Sequence, residues 1–318
     1  MKEIIKLLNK SKKVAIIGHM SPDPDCFGSM KALGYTLQKL GKNISYFVDI
    51  LRVKDYMEFY GLDIEISNEI NADEFDTLVC VDLSSVKQIG KYYDVFNNFE
   101  NTIIIDHHRN GDLSAKLKYI DVNKSSCSEI IFDLCSNMKV ELDSQFADYI
   151  YSGIIGDTNC FQNDNVNYNT LTTASKCIEL NADKNKIVYL FMKKQKIETI
   201  KLKKLAYEKL VVKDGVAYTI ITKKMQEEAG IEYCSHLVEE LSNLEGVKVS
   251  FLATQKEKNV FSVSLRCKEG YDVSQVARIF GGGGHIQASG MSFMNAPIKN
   301  TKKILNECIK MILEKERN

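Results

Sequence analysis

The chain has 318 residues, 42 Lys plus Arg against 42 Asp plus Glu, and 44% apolar and 26% charged residues. That is the composition of an ordinary globular protein, too apolar for intrinsic disorder, and zero formal charge argues against coating nucleic acid through a global field. No stretch reaches the ~18 apolar residues of a membrane span, and the Lys-dotted N-terminus does not read as a signal peptide.

In chain order, Val14 to Ile17, Ile44 to Val48, Thr77 to Val81 and Thr102 to Ile105 are short continuous apolar runs that read as buried parallel strands. Helical patterns lie between and after them, from Gly28 to Leu40 and from Ser128 to Ser136, so a doubly wound α/β layer is predicted. From Lys184 to Lys204 there are eight Lys and one Glu, with apolar residues at helical spacing. This reads as a solvated helix face joining two domains. Beyond it Val216 to Thr222, Val247 to Thr254 and Val260 to Arg266 alternate as half-exposed strands, with helices expected over 233–243, 272–280 and 301–314. The predicted organisation is an α/β domain at 1–183, a helical linker at 184–196 and a smaller α+β domain at 197–318. The functional site is expected in the cleft between the two. The nine Cys include no CxxC pair and sit among apolar neighbours, as core thiols of a reducing, cytoplasmic compartment would.

The scarce residue types cluster. His19, His107 and His108 each lie just past a predicted strand, where open α/β sheets bind ligands. Asp23, Asp25, Asp82 and Asp106 fall at strand ends beside them, and Asp157 is read as a further loop-end carboxylate. Ionised carboxylates crowded together repel one another unless cations neutralise them, so a metal site is predicted. A donor set rich in carboxylate, with imidazole and no thiolate, suits Mn²⁺, Mg²⁺, Fe²⁺ or Co²⁺. Six ligands exceed the needs of one ion that keeps a bound water, which points to two ions and phosphoester hydrolysis. A second constellation is Gly281 to Gly284 followed by His285. Four glycines between two predicted helices are read as a loop that turns N–H groups toward an anion at a helix start, and not as a packing device.

The ordered set Gly18-His19-x-x-Pro22-Asp23-x-Asp25-x-x-Gly28-Ser29, Asp82, Asp106-His107-His108 and Gly156-Asp157-Thr158 resembles the DHH phosphoesterase superfamily. The run from Gly281 to Gly290 resembles its first type of associated C-terminal domain, and the layout is most similar to the bacterial nanoRNase group. The resemblance implies that His19 and Asp23 hold one divalent ion, Mn²⁺ first, and that Asp25, His107 and Asp157 hold the other. Asp82 would bridge the two, Asp106 would orient a ligand, and His108 would face the substrate phosphate. Arg266, Gly282, Gly283, Gly284 and His285 would grip a phosphate or terminal nucleotide, with Ser289 a further candidate.

The implied activity is hydrolysis of short oligoribonucleotides, including pApA, to nucleoside monophosphates, and of 3′-phosphoadenosine 5′-phosphate (PAP) to AMP. Cleavage of cyclic di-AMP or pApA in signalling is an alternative, and a non-catalytic nucleotide- or RNA-binding module is another. No membrane partner is expected, and a homodimer is compatible with the layout. Two positions depart from the pattern. Cys26 stands where Ala or Ser is commoner, and Asn159-Cys160 where Gly is frequent. His236 matches no motif and is read as structural.

Overall fold

Strands that are buried on both faces need apolar side chains at every position, and the first four apolar runs meet that demand. In a computed structural model of the chain, the described residues are 1–294 except 21, 50–55, 62, 63, 67, 110, 233, 235, 236 and 285, together with 297, 300, 303 and 307. The chain divides into two compact units, Met1–Lys194 and Gln195–Asn318.

The first unit opens with α1 (Lys2–Lys10), β1 (Lys13–Ile17), α2 (Pro24–Lys39), β2 (Asn43–Val48), β3 (Ile64–Ile66) and β4 (Thr77–Val81). Two single-turn helices, α3 (Val86–Ile89) and α4 (Tyr93–Phe96), precede β5 (Thr102–Asp106) and β6 (Leu117–Ile120). Then come α5 (Cys127–Ser136), α6 (Ser144–Asp157), α7 (Tyr168–Glu179) and α8 (Lys184–Val188), followed by a π-helical turn over Tyr189–Lys193. The sheet order is β3-β2-β1-β4-β5-β6 and every pairing is parallel. The two edge strands were not legible as apolar runs: β3 is three residues long, and β6 alternates between half-buried and exposed positions. Chain order reverses between β1 and β4. Connections therefore leave the two strands in opposite directions and open a crevice at their carboxyl ends.

Successive strand residues feed opposite cores. Val14, Ile16, Val79, Val81, Ile103 and Ile105 pack with α1, α2, α5 and α6, whereas Ala15, Ile17, Leu78, Cys80 and Ile104 pack with Phe47, Tyr92 and Phe96. Helix α2 begins earlier than its apolar pattern suggests, because Asp23 caps it and Pro24 takes the first position. This start places Asp25 inside the first helical turn. Asp157 is likewise not in a loop: it is the last residue of α6. Positions 184–194 of the expected linker belong to the first unit, where Ile187 is fully buried and Val188, Phe191 and Met192 pack against the larger core.

The second unit contains α9 (Ile197–Tyr207), β7 (Val211–Lys213), β8 (Val216–Ile221), α10 (Lys223–Ala229) and α11 (Leu237–Ser242). It continues with β9 (Val249–Glu257), β10 (Val260–Cys267), α12 (Val273–Ile279), β11 (Gly283–Gly284) and β12 (Ala288–Phe293). Its sheet runs β11-β12-β10-β9-β8-β7 and is mixed, with β8 and β9 parallel and the other neighbours antiparallel. Of the expected helix over 301–314, Lys303 and Glu307 are described and helical; its other positions and His236 lie outside the described residues. Eight cysteines are described, all as free thiols; seven are buried and Cys160 is half-buried. No described helix is long and apolar enough to cross a membrane.

Helices α2 and α6 approach closely at Gly28, where an added Cβ would lie 2.5 Å from the Tyr149 carbonyl oxygen and 3.2 Å from the Gly153 nitrogen. Backbone atoms cannot yield as side-chain ends do. Gly28→Ala is expected to cost about 2 kcal/mol of stability, read as a lower urea midpoint at unchanged slope.

Candidate metal centre

Five strand and helix ends deliver the predicted residues to one place. The chain leaves β1 through Gly18, whose N–H donates to Phe47 O at 3.2 Å, and His19 follows. Asp23 caps α2 by accepting from the N–H groups of Asp25 and Cys26, both at 3.0 Å. Asp25 is fully buried. Its two oxygens accept from Cys127 N at 2.6 Å and Ser128 N at 2.9 Å, the first N–H groups of α5. A helix N-terminus is where such groups lack intrahelical partners and where a negative charge is favoured.

Asp82 follows β4 with φ of 56°, a left-handed conformation unusual for a residue with a Cβ. Asp106 ends β5, fully buried. Its Oδ1 accepts from His107 N at 2.8 Å and His108 N at 3.3 Å, and lies 2.8 Å from His108 Nδ1. His107 Nδ1 lies 3.3 Å from Lys124 O, and donating there turns Nε2 toward the carboxylates.

His107 Nε2 is the centre of the arrangement, 3.2 Å from Asp157 Oδ2, 3.5 Å from Asp82 Oδ1 and 3.9 Å from Asp25 Oδ2. His19 Nε2 lies 3.4 Å from Asp82 Oδ2 and 3.9 Å from Asp23 Oδ2. One oxygen of Asp82 therefore faces each histidine. Asp82 Oδ1, Asp106 Oδ2 and His107 Nε2 are buried without a hydrogen-bond partner among the described residues. Polar atoms left so are costly unless something fills the site.

Ionisation in the metal-free protein reflects the same crowding. Burial raises the Asp25 carboxyl to about 7, and the charge of Asp82 adds to it despite the two N–H donors. Burial also pushes Asp157 well above the usual range, with Asp25 and Asp82 reinforcing it. For Asp82 the penalty of burial is outweighed by the close approach of the His107 and His19 imidazoles, so its carboxyl is held low. Burial lowers the imidazoles, but Asp82 beside both and the surrounding carboxylates overcome it, raising His19 to about 9 and His107 to about 10. Protons on these imidazoles stand where cations would neutralise the same carboxylates.

The donor atoms of Asp25, His107 and Asp157 lie within 4.8 Å of one another, as do those of His19, Cys26 and Asp82, and those of Asp82, Asp106, His107 and His108. Imidazole and carboxylate donors around orphaned buried atoms fit divalent cations, and Asp82 stands between two such positions.

Residues 13–154 match the DHH family, N-terminal domain, and residues 213–314 match the DHHA1 domain. The chain thus carries a DHH N-terminal domain followed by a DHHA1 domain. It is 26% identical over 318 residues to a Mycoplasma genitalium protein named bifunctional oligoribonuclease and PAP phosphatase NrnA, covering 98% of this chain and 97% of that one. A Bacillus subtilis protein of the same name is 27% identical, over 91% of this chain and 92% of its own. An exopolyphosphatase-related protein from Bacteroides fragilis has the same fold, with a TM-score of 0.92 at 21% identity, over 100% of this chain and 97% of that one.

In the DHHA1 domain the expected substrate residues lie near one edge of the sheet. Arg266 on β10 is paired with Ala288 on β12, and Gly284 on β11 with Ser289 on β12. Arg266 is engaged internally, with Nε 3.1 Å and Nη2 2.6 Å from Glu239 Oε1. Ser289 is 5% exposed. His285 lies outside the described residues.

The glycine run differs from its sequence reading in two respects. A strand follows it where a helix start was expected, while the helix beside it, α12, ends there, and two of its glycines are packing devices after all. A Cβ on Gly282 would strike Gly290 O, and one on Gly284 (φ 134°) would lie 2.6 Å from Ala288 O. Gly283 faces open space.

Sequence reasoning missed the residues that hold the ligands: Cys127 and Ser128, whose N–H groups bind Asp25, Lys124 behind His107, and buried Glu129. Glu129 Oε1 accepts from both the backbone and the hydroxyl of Ser125 and so fixes the loop that carries Lys124. The pattern Ser126-Cys127-Ser128-Glu129 is a helix-start signal that could have pointed to them.

Because metal must displace the protons on His19 and His107, apparent affinity for a divalent ion should fall as pH is lowered through neutrality. Calorimetric titration in buffers of different ionisation enthalpy would read the protons released. A ligand that binds the folded state alone stabilises it by ~2.7 kcal/mol at a hundredfold excess over Kd. Saturating Mn²⁺ should therefore raise the unfolding temperature, and Asp82→Asn should abolish most of the rise.

Asn159, Cys160 and Phe161, just past Asp157, have φ of 46°, 58° and 64°. Asn159→Val should cost about 1–2 kcal/mol, and Asn159→Gly much less, in urea unfolding.

Proposed function

We propose that this chain is a metal-dependent phosphoesterase that hydrolyses short oligoribonucleotides to nucleoside monophosphates and PAP to AMP. The observation that carries the reading is His107 Nε2 facing Asp25, Asp82 and Asp157 at 3.2–3.9 Å. It stands in a chain similar along nearly its whole length to proteins named for those two activities.

His19 and Asp23 would hold one divalent ion, Asp25, His107 and Asp157 a second, with Asp82 between them and Mn²⁺ the first candidate. Such an ion pair, when bound, lowers the pKa of a water and neutralises charge on a phosphoryl group. Asp106 acts as a positioning residue: it fixes the two backbone N–H groups and Nδ1 of the adjacent histidine pair. The His108 side chain is 41% exposed, so with Nδ1 held by Asp106 the ring presents its other nitrogen for a substrate oxygen. The Asp106 hydrogen bond raises the His108 pKa against the opposing effect of burial. Protonated His108 would donate to the oxygen on which charge builds. Arg266, Gly283 and His285 would contact the remainder of the substrate, and Arg266 must exchange Glu239 for a phosphate to do so. Buried free thiols suit the cytoplasmic setting in which short RNA arises.

The test is release of AMP and of inorganic phosphate from pApA, an RNA pentamer, cyclic di-AMP and PAP, with Mn²⁺ present and chelated. Metal-dependent AMP release from pApA and the pentamer, with phosphate released from PAP, is the expected result. Turnover of cyclic di-AMP alone would transfer the protein to the signalling reading. Turnover of none of the four with metal bound would overturn the substrate class. Asp82→Ala should abolish turnover while nucleotide binding persists, and His108→Ala should lower kcat by roughly 10²–10³ with little change in KM.

A further inference from the structure

Cys26 occupies the first turn of α2, next to Asp25, and is fully buried. Its Sγ fills the space that a side chain at position 18 would take, so Gly18 and Met30 Sδ fix where the sulfur sits. That place is beside the metal centre. Sγ, a ring nitrogen of His19 and a carboxylate oxygen of Asp82 lie within 4.8 Å of one another. Asp82 is 2% exposed, and its Oδ2 faces His19 Nε2 at 3.4 Å. The N-terminus of a 16-residue helix favours a negative charge there. Cys127, also near the carboxylates, instead donates to Ile105 O at 3.3 Å.

We propose that Cys26 Sγ is a ligand of the ion held by His19 and Asp82, and that this position prefers Zn²⁺, Co²⁺ or Cd²⁺ over Mn²⁺ or Mg²⁺. Thiolate is a soft donor and selects borderline or soft cations, whereas carboxylate and imidazole alone do not. The second position, formed by Asp25, His107 and Asp157, has no sulfur. The two positions therefore differ in metal preference, and a mixed pair of ions is the natural occupancy. Coordination replaces the S–H bond by a sulfur–metal bond and releases one proton to solvent. The inference rests on the metal-holding reading of the cluster and is independent of the substrate.

The experiment is titration of the full-length, metal-free protein with Co²⁺, followed by near-ultraviolet absorption. A thiolate-to-cobalt charge-transfer band should grow to a stoichiometry of about one per chain. It should vanish in Cys26→Ser and in Cys26→Ala and persist in Cys160→Ser. Cd²⁺ affinity should fall on the order of tenfold or more in Cys26→Ser, with a much smaller change for Mn²⁺. X-ray absorption of the Zn²⁺-loaded wild-type protein, which needs no variant to fold, should show one sulfur at ~2.3 Å. Co²⁺ bound without the band, a band that survives in both Cys26 variants, or a zinc shell without sulfur would each overturn the assignment. The metal reading itself would stand in those cases, whereas no Co²⁺ bound at all would overturn both.

Discussion

Five carboxylates and three imidazoles converge where β1, β4 and β5 end, and the repulsion among those carboxylates is the constraint to which the surrounding structure answers. Asp25 shows how it is met. The group has no access to solvent, yet it is held by two N–H groups at the start of α5, where the unpaired end of a helix offers hydrogen bonds and partial positive charge together. Asp106 is held at Oδ1 by the backbone of the two histidines that follow it. Asp82 has no such support on Oδ1, and its carboxylate depends on His19, His107 and whatever cations the cluster binds.

That arrangement explains features that look unrelated to chemistry. The parallel sheet reverses its winding between β1 and β4, which clears the space at their carboxyl ends. Helices α2 and α6 must approach closely to bring Asp25 and Asp157 toward the same imidazole, and Gly28 and Gly153 permit it by leaving room for backbone and for Ser128. Beyond Asp157 three consecutive residues with side chains are held in the left-handed region. Their strain is sustained by the Thr158 hydroxyl, which donates to Ile154 O and accepts from Phe161 N. The pattern is one of local cost concentrated beside the ligands and compensated by rigid neighbours.

Much of this was legible in the sequence, and for definite reasons. Continuous apolar runs such as Val14 to Ile17 are forced by burial on both faces, so four central strands and the α/β class could be read directly. The edge strands could not, because half-exposed residues such as those of β6 carry no comparable signal. Scarce residue types at strand ends marked His19, Asp23, Asp25, Asp82, Asp106, His107 and His108. The glycine run misled in part, since its sequence does not tell a loop that binds anions from a hairpin whose backbones touch.

The sequence by itself determined which side chains are available for chemistry and, through strand periodicity, the end of the sheet at which most of them gather. Tertiary structure decided which atoms meet. It alone turned His107 Nε2 toward three carboxylates from separate elements, set one oxygen of Asp82 toward each histidine, engaged Arg266 with Glu239 and placed the Cys26 sulfur beside His19. The physical reason is that residue order specifies local conformation and burial, whereas these contacts span tens of residues and depend on how helices and strands pack.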